Sequence, residues 1–196
     1  EAEKLYRQSL AIREELGDKA GIALTIGNIA NLLKSRGEIK EAEKLYRQSL
    51  AIREELGDKA GIAFTMGNIA NLLKSRGEIE EAEKLYRKSL AIREDLGDKA
   101  GIASSLGSVA GLINSRGEIK EAEKLYRQSL AIREELGNKA GISLTMVNIA
   151  NLLKSRGVID EAEKLYRQSL AIREELGNKA GIASSLGSVA GLINSR

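Results

Sequence analysis

Pairs of asparagine are the residues of this chain best suited to bind a partner. The two amides of a pair stand three residues apart, and the pairs recur at multiples of forty residues. Residues three apart share one face of an α-helix, so each pair presents two amides side by side. An amide carries both a donor and an acceptor, and can therefore pair with the N–H and C=O of an extended peptide of any sequence. The members are Asn28, Asn31, Asn68, Asn71, Asn148 and Asn151.

A lysine follows each pair by three residues, at Lys34, Lys74 and Lys154. No acidic residue lies in the same predicted helix, so this surface is expected to be mildly basic. We predict that these nine residues bind an extended peptide that is acidic or ends in a carboxylate. We also expect Asn68→Ala with Asn71→Ala to weaken binding without changing stability. Two alternatives stay open: the asparagines bond neighbouring helices or water, and the lysines are simply solvated.

Catalytic chemistry has little support in the sequence. The chain has no histidine and no cysteine, which removes the commonest general base, the usual metal ligands and the best nucleophile. Ser104 and Ser105 have no histidine to activate them, and Glu54 and Glu55 lie beside Arg53 on a charged helix face. We therefore expect no enzyme activity, no cofactor and no metal site.

A forty-residue repeat organises the whole chain. The segments EAEKLYR and KAGI each recur five times, beginning at Glu1, Glu41, Glu81, Glu121 and Glu161 and at Lys19, Lys59, Lys99, Lys139 and Lys179. Such a period is typical of a solenoid, whose units stack only on their neighbours. We predict one array over residues 1–196, with repeats at 1–40, 41–80, 81–120, 121–160 and 161–196. Because the chain starts inside a unit and without methionine, we interpret it as a fragment or a processed chain.

Each unit contains two predicted helices, helix B and helix A. Helix B covers residues 1–16, and its apolar and small residues fall at three- and four-residue spacings, which predicts one buried face. Gly17 ends it in the left-handed conformation that glycine adopts most cheaply, and Asp18 caps the next helix. Helix A runs from about Lys19 to Ser35, and the following helix B begins near Lys40. The tyrosines predicted in the core are Tyr6, Tyr46, Tyr86, Tyr126 and Tyr166.

Helix A occurs in two versions that differ along one stripe. Its predicted core stripe is Ile22, Ile26, Ile29 and Leu33. The variable stripe is Leu24, Asn28, Asn31 and Ser35. In copies three and five the asparagines are replaced, by Ser108, Gly111, Ser188 and Gly191. The chemical diversity of the repeat is therefore concentrated on one face of helix A.

Charge and hydropathy argue against two other classes of partner. The chain has 31 basic and 28 acidic residues, and a net charge of +3 is too small to indicate nucleic-acid binding. No apolar run approaches the roughly 18 residues of a membrane span, and no signal segment begins at Glu1. We expect neither a nucleic-acid nor a membrane partner, and a cytoplasmic location.

The helix pair resembles a tetratricopeptide repeat, whose pattern is W-x2-L-G-x2-Y, then A-x3-F, then P. Ala42 and Tyr46 match the small residue and the aromatic residue four positions later, whereas the Trp, Gly, Tyr and Pro are absent. The period is forty rather than thirty-four residues. The longer unit, with NIANLLKSRG before EAEKLYRQSLAI, is similar to the subgroup found in kinesin light chains and LGN-type adaptors. The pattern positions here are Ile26, Ile29, Ala30, Leu33, Ala42, Tyr46 and Glu54.

This resemblance implies a fold and a mode of binding. The fold would be all-α, a right-handed α-α superhelix of about five helix–turn–helix repeats, with a helix B first and a helix A last. The A helices of that family line a concave groove that binds extended peptides, and asparagines there hold the ligand backbone. By resemblance, the asparagines and lysines named above would be the ligand-binding residues of a non-enzymatic scaffold.

Two further functions stay open. Near-identical units also suit a structural array, natural or engineered, that associates head to tail. Its first helix would expose Ala2, Leu5, Tyr6 and Ile12, and its last would expose Ile182, Leu186, Val189 and Ile193. Nucleic-acid binding through a basic groove is a distant third, and would require a steep salt dependence with single-stranded RNA.

Overall fold

The computed structural model describes residues 1–194, which form ten α-helices and no strand. The helices are α1 (Ala2–Glu15), α2 (Lys19–Ser35), α3 (Ile39–Leu56), α4 (Lys59–Ser75), α5 (Ile79–Asp95), α6 (Lys99–Ser115), α7 (Ile119–Glu135), α8 (Lys139–Ser155), α9 (Ile159–Glu175) and α10 (Lys179–Ile193). Odd-numbered helices are helices B and even-numbered helices are helices A. The predicted all-α class and the B–A alternation are confirmed. The last two residues of the predicted fifth repeat lie outside the described residues.

The chain forms two compact units. Unit 1 is Glu1–Asp98 and holds α1 to α5, and unit 2 begins at Lys99 and holds α6 to α10. Within each unit, consecutive helices pack on each other, and a helix A packs most extensively on the helix B that follows it. The basic building block is therefore this helix A–helix B pair. The single array over residues 1–196 stays a prediction.

Glycines and short polar side chains set the helix ends. Gly17 and Gly37 have φ angles of 66° and 82°, in the left-handed region that penalises residues with a Cβ. Asp18 accepts a hydrogen bond from the backbone N–H of Gly21 at 2.9 Å, which satisfies a free donor in the first turn of α2. The predicted caps are confirmed. Helix α3 begins at Ile39, one residue before the predicted start at Lys40.

The core lies where helices A and B face each other. Ile26, Ile29 and Leu33 of α2 are buried as predicted, while Ile22 is half-buried. Each helix B from α3 onward contributes an alanine with no exposed surface and a buried tyrosine. Because an alanine projects so little, the two helices approach closely. These alanines are Ala42, Ala82, Ala122 and Ala162.

A buried serine on helix B ties it to the backbone of helix A. The Ser49 hydroxyl of α3 donates to the Ala23 carbonyl of α2 at 2.8 Å. The equivalent serines of α5, α7 and α9 make the same bond to residues 63, 103 and 143, at 2.7 to 2.9 Å. The small residues Ala23 and Gly27 of α2 permit this approach.

The core prediction is wrong for Tyr6. Tyr46, Tyr86, Tyr126 and Tyr166 are buried, but Tyr6 on α1 retains 36% of its accessible surface. In each buried case, the tyrosine is covered by the helix A that precedes its own helix. Among residues 1–194, α2 is the helix that packs extensively on α1, so Tyr6 has only part of that cover.

Candidate functional site

The variable stripe of each helix A lies at the surface, as the sequence predicts. On α2, Leu24, Asn31 and Ser35 are exposed and Asn28 is half-buried. We call this stripe, together with the lysine at Lys34, the A face of α2, and use the same name for the equivalent positions forty residues on in each later copy. On α2, α4 and α8, other faces of the helix pack against the B helices that precede and follow it. The A face is therefore the side of helix A that a partner can reach.

The outer asparagines, Asn31, Asn71 and Asn151, are hydrogen-bonded to tyrosines. The Tyr46 hydroxyl donates to the Asn31 side-chain oxygen at 2.6 Å, across a separation of fifteen residues. Tyr86 donates to Asn71 at 2.8 Å and Tyr166 to Asn151 at 2.5 Å. The sequence predicts that these tyrosines lie in the core, but that prediction does not include the bond to asparagine. The constant fifteen-residue spacing between the outer asparagine and the tyrosine is the signal that points to it.

The oxygen and the nitrogen of each outer amide have different roles. The oxygen of each outer asparagine supports the next helix B, whereas the amide nitrogens of Asn31 and Asn151 have no acceptor within residues 1–194. The Asn71 nitrogen donates to the Gly67 carbonyl at 2.9 Å. The expectation that Asn71→Ala leaves stability unchanged therefore does not hold, because the substitution removes a contact between α4 and α5.

The inner asparagines, Asn28, Asn68 and Asn148, have a different environment. All three are half-buried, and none forms a hydrogen bond with a residue of the described chain. The side-chain nitrogen of Asn68 is fully buried without an acceptor. A buried donor without a partner costs about 1–3 kcal/mol. The inner amides contribute no hydrogen bond to the fold, so their polar atoms that remain accessible, which exclude the Asn68 nitrogen, are available to a ligand.

The three lysines extend the A face as predicted. Lys74 and Lys154 are exposed and Lys34 is half-buried, and none of them forms an ion pair with any residue that the structure describes. In unit 2 the Lys154 amino group of α8 lies 3.8 Å from the point where a Cβ would stand on Gly191 of α10. The A faces of α8 and α10 are therefore neighbours, and Lys154 lies where they meet.

The first position of the A face is apolar in three copies. Leu24, Phe64 and Leu144 each expose about half of their surface, at 51%, 53% and 52%. Copies three and five carry Ser104 and Ser184 there. Unit 1 thus has two A faces, on α2 and α4, that combine an exposed apolar side chain, two amides and a lysine. Unit 2 has one such face, on α8, together with the serine- and glycine-bearing faces of α6 and α10.

The outer surface of helices B offers a poorer site. A shallow groove on α3 is lined by Lys40, Glu43, Lys44, Arg47, Gln48 and Ala51, and similar grooves occur on α1 and α9. Glu43 there accepts hydrogen bonds from Arg47 and from Arg76. Exposed ion pairs of this kind contribute about 0–1 kcal/mol. Their charges already pair with one another, unlike the lysines of the A faces.

The described residues offer neither a metal site nor a membrane span. Between residues 1 and 194, no group of three or more acidic side chains is placed to hold a metal ion. None of the described helices combines the length and the hydrophobicity that crossing a bilayer requires.

One family model matches the chain through most of its length. The tetratricopeptide repeat model matches residues 1–55, 21–95, 61–135 and 101–175. A search of curated proteins found no match.

Several solved structures share the fold. BtubC (BKLC) from P. vanneervenii is 20% identical, with a TM-score of 0.86, over 98% of this chain and 82% of that one. A kinesin light chain of Podosopora anserina with nearly identical TPR-like repeats is 19% identical, with a TM-score of 0.71, over 87% and 84%. A Rap protein complexed with competence and sporulation factor is 16% identical, with a TM-score of 0.69, over 98% and 58%. At these identities the likeness concerns the fold.

Proposed function

Because the chain belongs to the tetratricopeptide repeat family, we propose that it is a non-enzymatic scaffold that binds an extended, acidic peptide segment on its A faces. The observation that carries the proposal is the set of inner asparagines. Asn28, Asn68 and Asn148 stand on the accessible side of helix A, and the fold makes no use of their hydrogen-bonding groups. An amide held in this way can pair with the backbone of a ligand whatever its sequence.

The lysines of the A faces account for the proposed preference for acidic ligands. Lys34, Lys74 and Lys154 have no carboxylate partner among the described residues, and helices A contain no acidic side chain. Their charge is therefore not cancelled locally, and a carboxylate on the ligand gains a favourable interaction that added salt screens. Unit 1 carries two complete A faces, on α2 and α4, so we assign it the larger share of the binding.

A relative of similar fold supports the proposal by analogy. The Rap protein in the comparison was solved in complex with competence and sporulation factor. Helical repeats of this kind can thus hold a separate partner, and we propose that this chain does so as well.

Binding of labelled peptide pools tests the proposal directly. Acidic, neutral and basic pools of short peptides are titrated with the protein and followed by fluorescence anisotropy. We expect the acidic pool to bind best, and Asn28→Ala with Asn68→Ala to weaken it about two- to tenfold for each amide lost. Gln48→Ala is the matched control, since it removes an exposed amide from helix B. Equal affinity for the three pools, or equal effects of the two kinds of substitution, would contradict the proposal.

Self-association is the second candidate function. Helix α1 exposes Leu5 and Ile12, each at 57%, whereas Leu45 and Ile52 at the same positions of α3 are half-buried. Helix α10 in turn exposes Leu186 and Ile193, at 51% and 53%. We propose that α10 of one molecule can pack on α1 of another, in the way that a helix A packs on the helix B that follows it. Such a contact joins two different surfaces, so it propagates unless the rotation closes a ring.

A further inference from the structure

The third repeat lacks a bond between helices that the first, second and fourth repeats make. Tyr46, Tyr86 and Tyr166 each donate to the outer asparagine of the preceding helix A. Tyr126 occupies the same place on α7, but the position on α6 that would face it is Gly111. The Tyr126 side chain is 94% buried, with 6% exposed, and its hydroxyl has no partner in the described chain. A phenol donor is thus held at the A face of α6 without its acceptor.

Helix α6 has no side chain at the position equivalent to the outer asparagines. Gly111 has a hydrogen where the first, second and fourth repeats carry a carboxamide, and Gly107 lies one turn before it. A Cβ added to Gly107 would lie 3.8 Å from the Ser129 hydroxyl and 3.9 Å from a guanidinium nitrogen of Arg133, which are ordinary contact distances. Because Gly111 has no side chain, α6 itself does not fill the volume that the outer asparagine occupies beside the tyrosine in the first, second and fourth repeats.

This space lies between α6, a helix with little charge, and the Arg133 guanidinium of α7. Helix α6 contains one charged residue, Lys99, at its first position, and Asn114 stands where the A faces of α2, α4 and α8 carry a lysine. Arg133 lies seven residues beyond Tyr126 on α7, about 10 Å along the helix axis, and its Nε donates to Ser129 at 3.2 Å. Burial raises the pKa of Tyr126, so its hydroxyl keeps its proton and acts as a donor. An amide oxygen can accept this hydrogen bond, as the outer asparagines do, without burying a charge.

We propose that the space between Gly111 and Tyr126 is a subsite for a carboxamide side chain, asparagine or glutamine, supplied by the bound ligand. The ligand's amide oxygen accepts the Tyr126 hydrogen bond that Asn31, Asn71 and Asn151 accept in the other repeats. This inference rests on the proposed peptide binding, and it makes the third repeat a point of sequence selection. At the other repeats that have an asparagine pair, the ligand backbone is held irrespective of its side chains.

A small amide tests the subsite without any peptide. Propionamide is titrated into protein with ring-labelled tyrosines, and the Tyr126 signals are assigned as those lost in Tyr126→Phe. We expect a saturable shift confined to Tyr126, which Gly111→Asn abolishes because the new side chain fills the space and takes the hydrogen bond. Asparagine stands at the equivalent position of three other repeats, so this variant is compatible with the fold. No saturable shift, an unchanged shift in Gly111→Asn, or a shift with propionate alone would overturn the proposal.

Peptide pools provide the second arm. Acidic pools with one position set to asparagine, glutamine or leucine are compared on the parent protein and on Tyr126→Phe. The amide pools are expected to bind the parent about two- to tenfold better than the variant, and the leucine pool equally to both. The same loss for all three pools would overturn the subsite while leaving the scaffold function intact. Failure of every pool to bind, with the propionamide shift present, would overturn the scaffold function and leave the subsite.

Discussion

At the scale of single residues, the two asparagines of each pair have separate roles. The outer asparagine holds a tyrosine of the next helix, and the inner one has no hydrogen-bonding partner among the described residues. The alternative of a purely structural pair therefore applies to half of each pair. Substituting the outer asparagine should therefore lower stability, and substituting the inner one should weaken binding. The two effects are measured in separate experiments.

The stability of the first repeat should depend on Asn31 and not on Asn28. Asn31→Ala removes the acceptor of the Tyr46 hydroxyl and should lower the free energy of unfolding by about 0.5–1.5 kcal/mol. Asn28→Ala removes no internal hydrogen bond and should leave it unchanged. Urea unfolding followed by circular dichroism measures both. Tyr46→Phe combined with Asn31→Ala should cost less than the sum of the single changes, since both remove the same bond. Additive losses would refute the pairing.

Stability should fall in strong alkali through the buried tyrosines. Burial raises the pKa of Tyr46 to about 12, above the value of about 10 for a tyrosine in an unfolded chain. The unfolded state therefore loses this proton first, and the contribution of Tyr46 is complete below pH 10 and is lost as the pH rises towards 12. Unfolding free energies at neutral and alkaline pH measure the effect, with Tyr46→Phe as the control for lysine titration. A variant with the same alkaline loss as the parent would contradict this prediction.

At the scale of helices, the close approach of helix A and helix B depends on small residues. Ala82 of α5 has no exposed surface, and Ser89 on the same helix bonds the Ala63 carbonyl of α4 at 2.7 Å. A larger side chain at this alanine cannot fit without separating the two helices. The sequence points to this alanine through its place in the buried stripe, and the structure shows what it faces.

Ala82→Leu is therefore expected to destabilise unit 1. Overpacking of this kind costs about 1–3 kcal/mol. Ala91→Leu is the matched control, since Ala91 lies on the exposed side of the same helix and surface substitutions usually change stability by less than about 0.5 kcal/mol. Thermal and urea unfolding compare the two variants with the parent. Equal stability of the parent and both variants would mean that Ala82 does not lie on the face of α5 that packs against α4.

The charge of the A faces in unit 1 should decide ligand preference. Lys34→Glu with Lys74→Glu reverses the charge of α2 and α4 at positions where neither lysine has an internal partner. We expect the acidic peptide pool to bind more weakly, the basic pool to bind more tightly, and both differences to shrink as salt is added. Lys4→Glu with Lys40→Glu, at exposed positions of two B helices, is the control, since it changes the net charge by the same amount. A loss of acidic binding of the same size in the control would assign the preference to net charge instead.

At the scale of the whole molecule, the exposed apolar faces of α1 and α10 predict association. Leu5→Lys with Ile12→Lys places charge on the surface that a second molecule would cover, and should shift sedimentation towards the monomer. Ala11→Lys adds charge to an exposed position of α1 outside that apolar surface and should leave association unchanged. Strictly monomeric behaviour of the parent protein at high concentration would exclude this assembly.

The sequence by itself determined the repeat period, the helices and their ends. These features are local: an apolar stripe follows from the turn of the helix, and Gly17 and Asp18 act within a few residues of where they stand. The surface position of the variable stripe is also a local feature, because it follows from the place of these residues outside the apolar core stripe of helix A. The tetratricopeptide family followed from the pattern of these local features.

Only the tertiary structure decided which amides are free. Asn28 and Asn31 have the same chemistry and lie on the same stripe, yet Tyr46 bonds one of them across fifteen residues. That bond depends on where α2 and α3 cross and on the rotamer of the tyrosine, neither of which a pattern of residue types specifies. The lack of a partner for the Tyr126 hydroxyl also depends on the tertiary structure. Tyr126 lies on α7, whereas Gly111, the residue opposite it, belongs to α6.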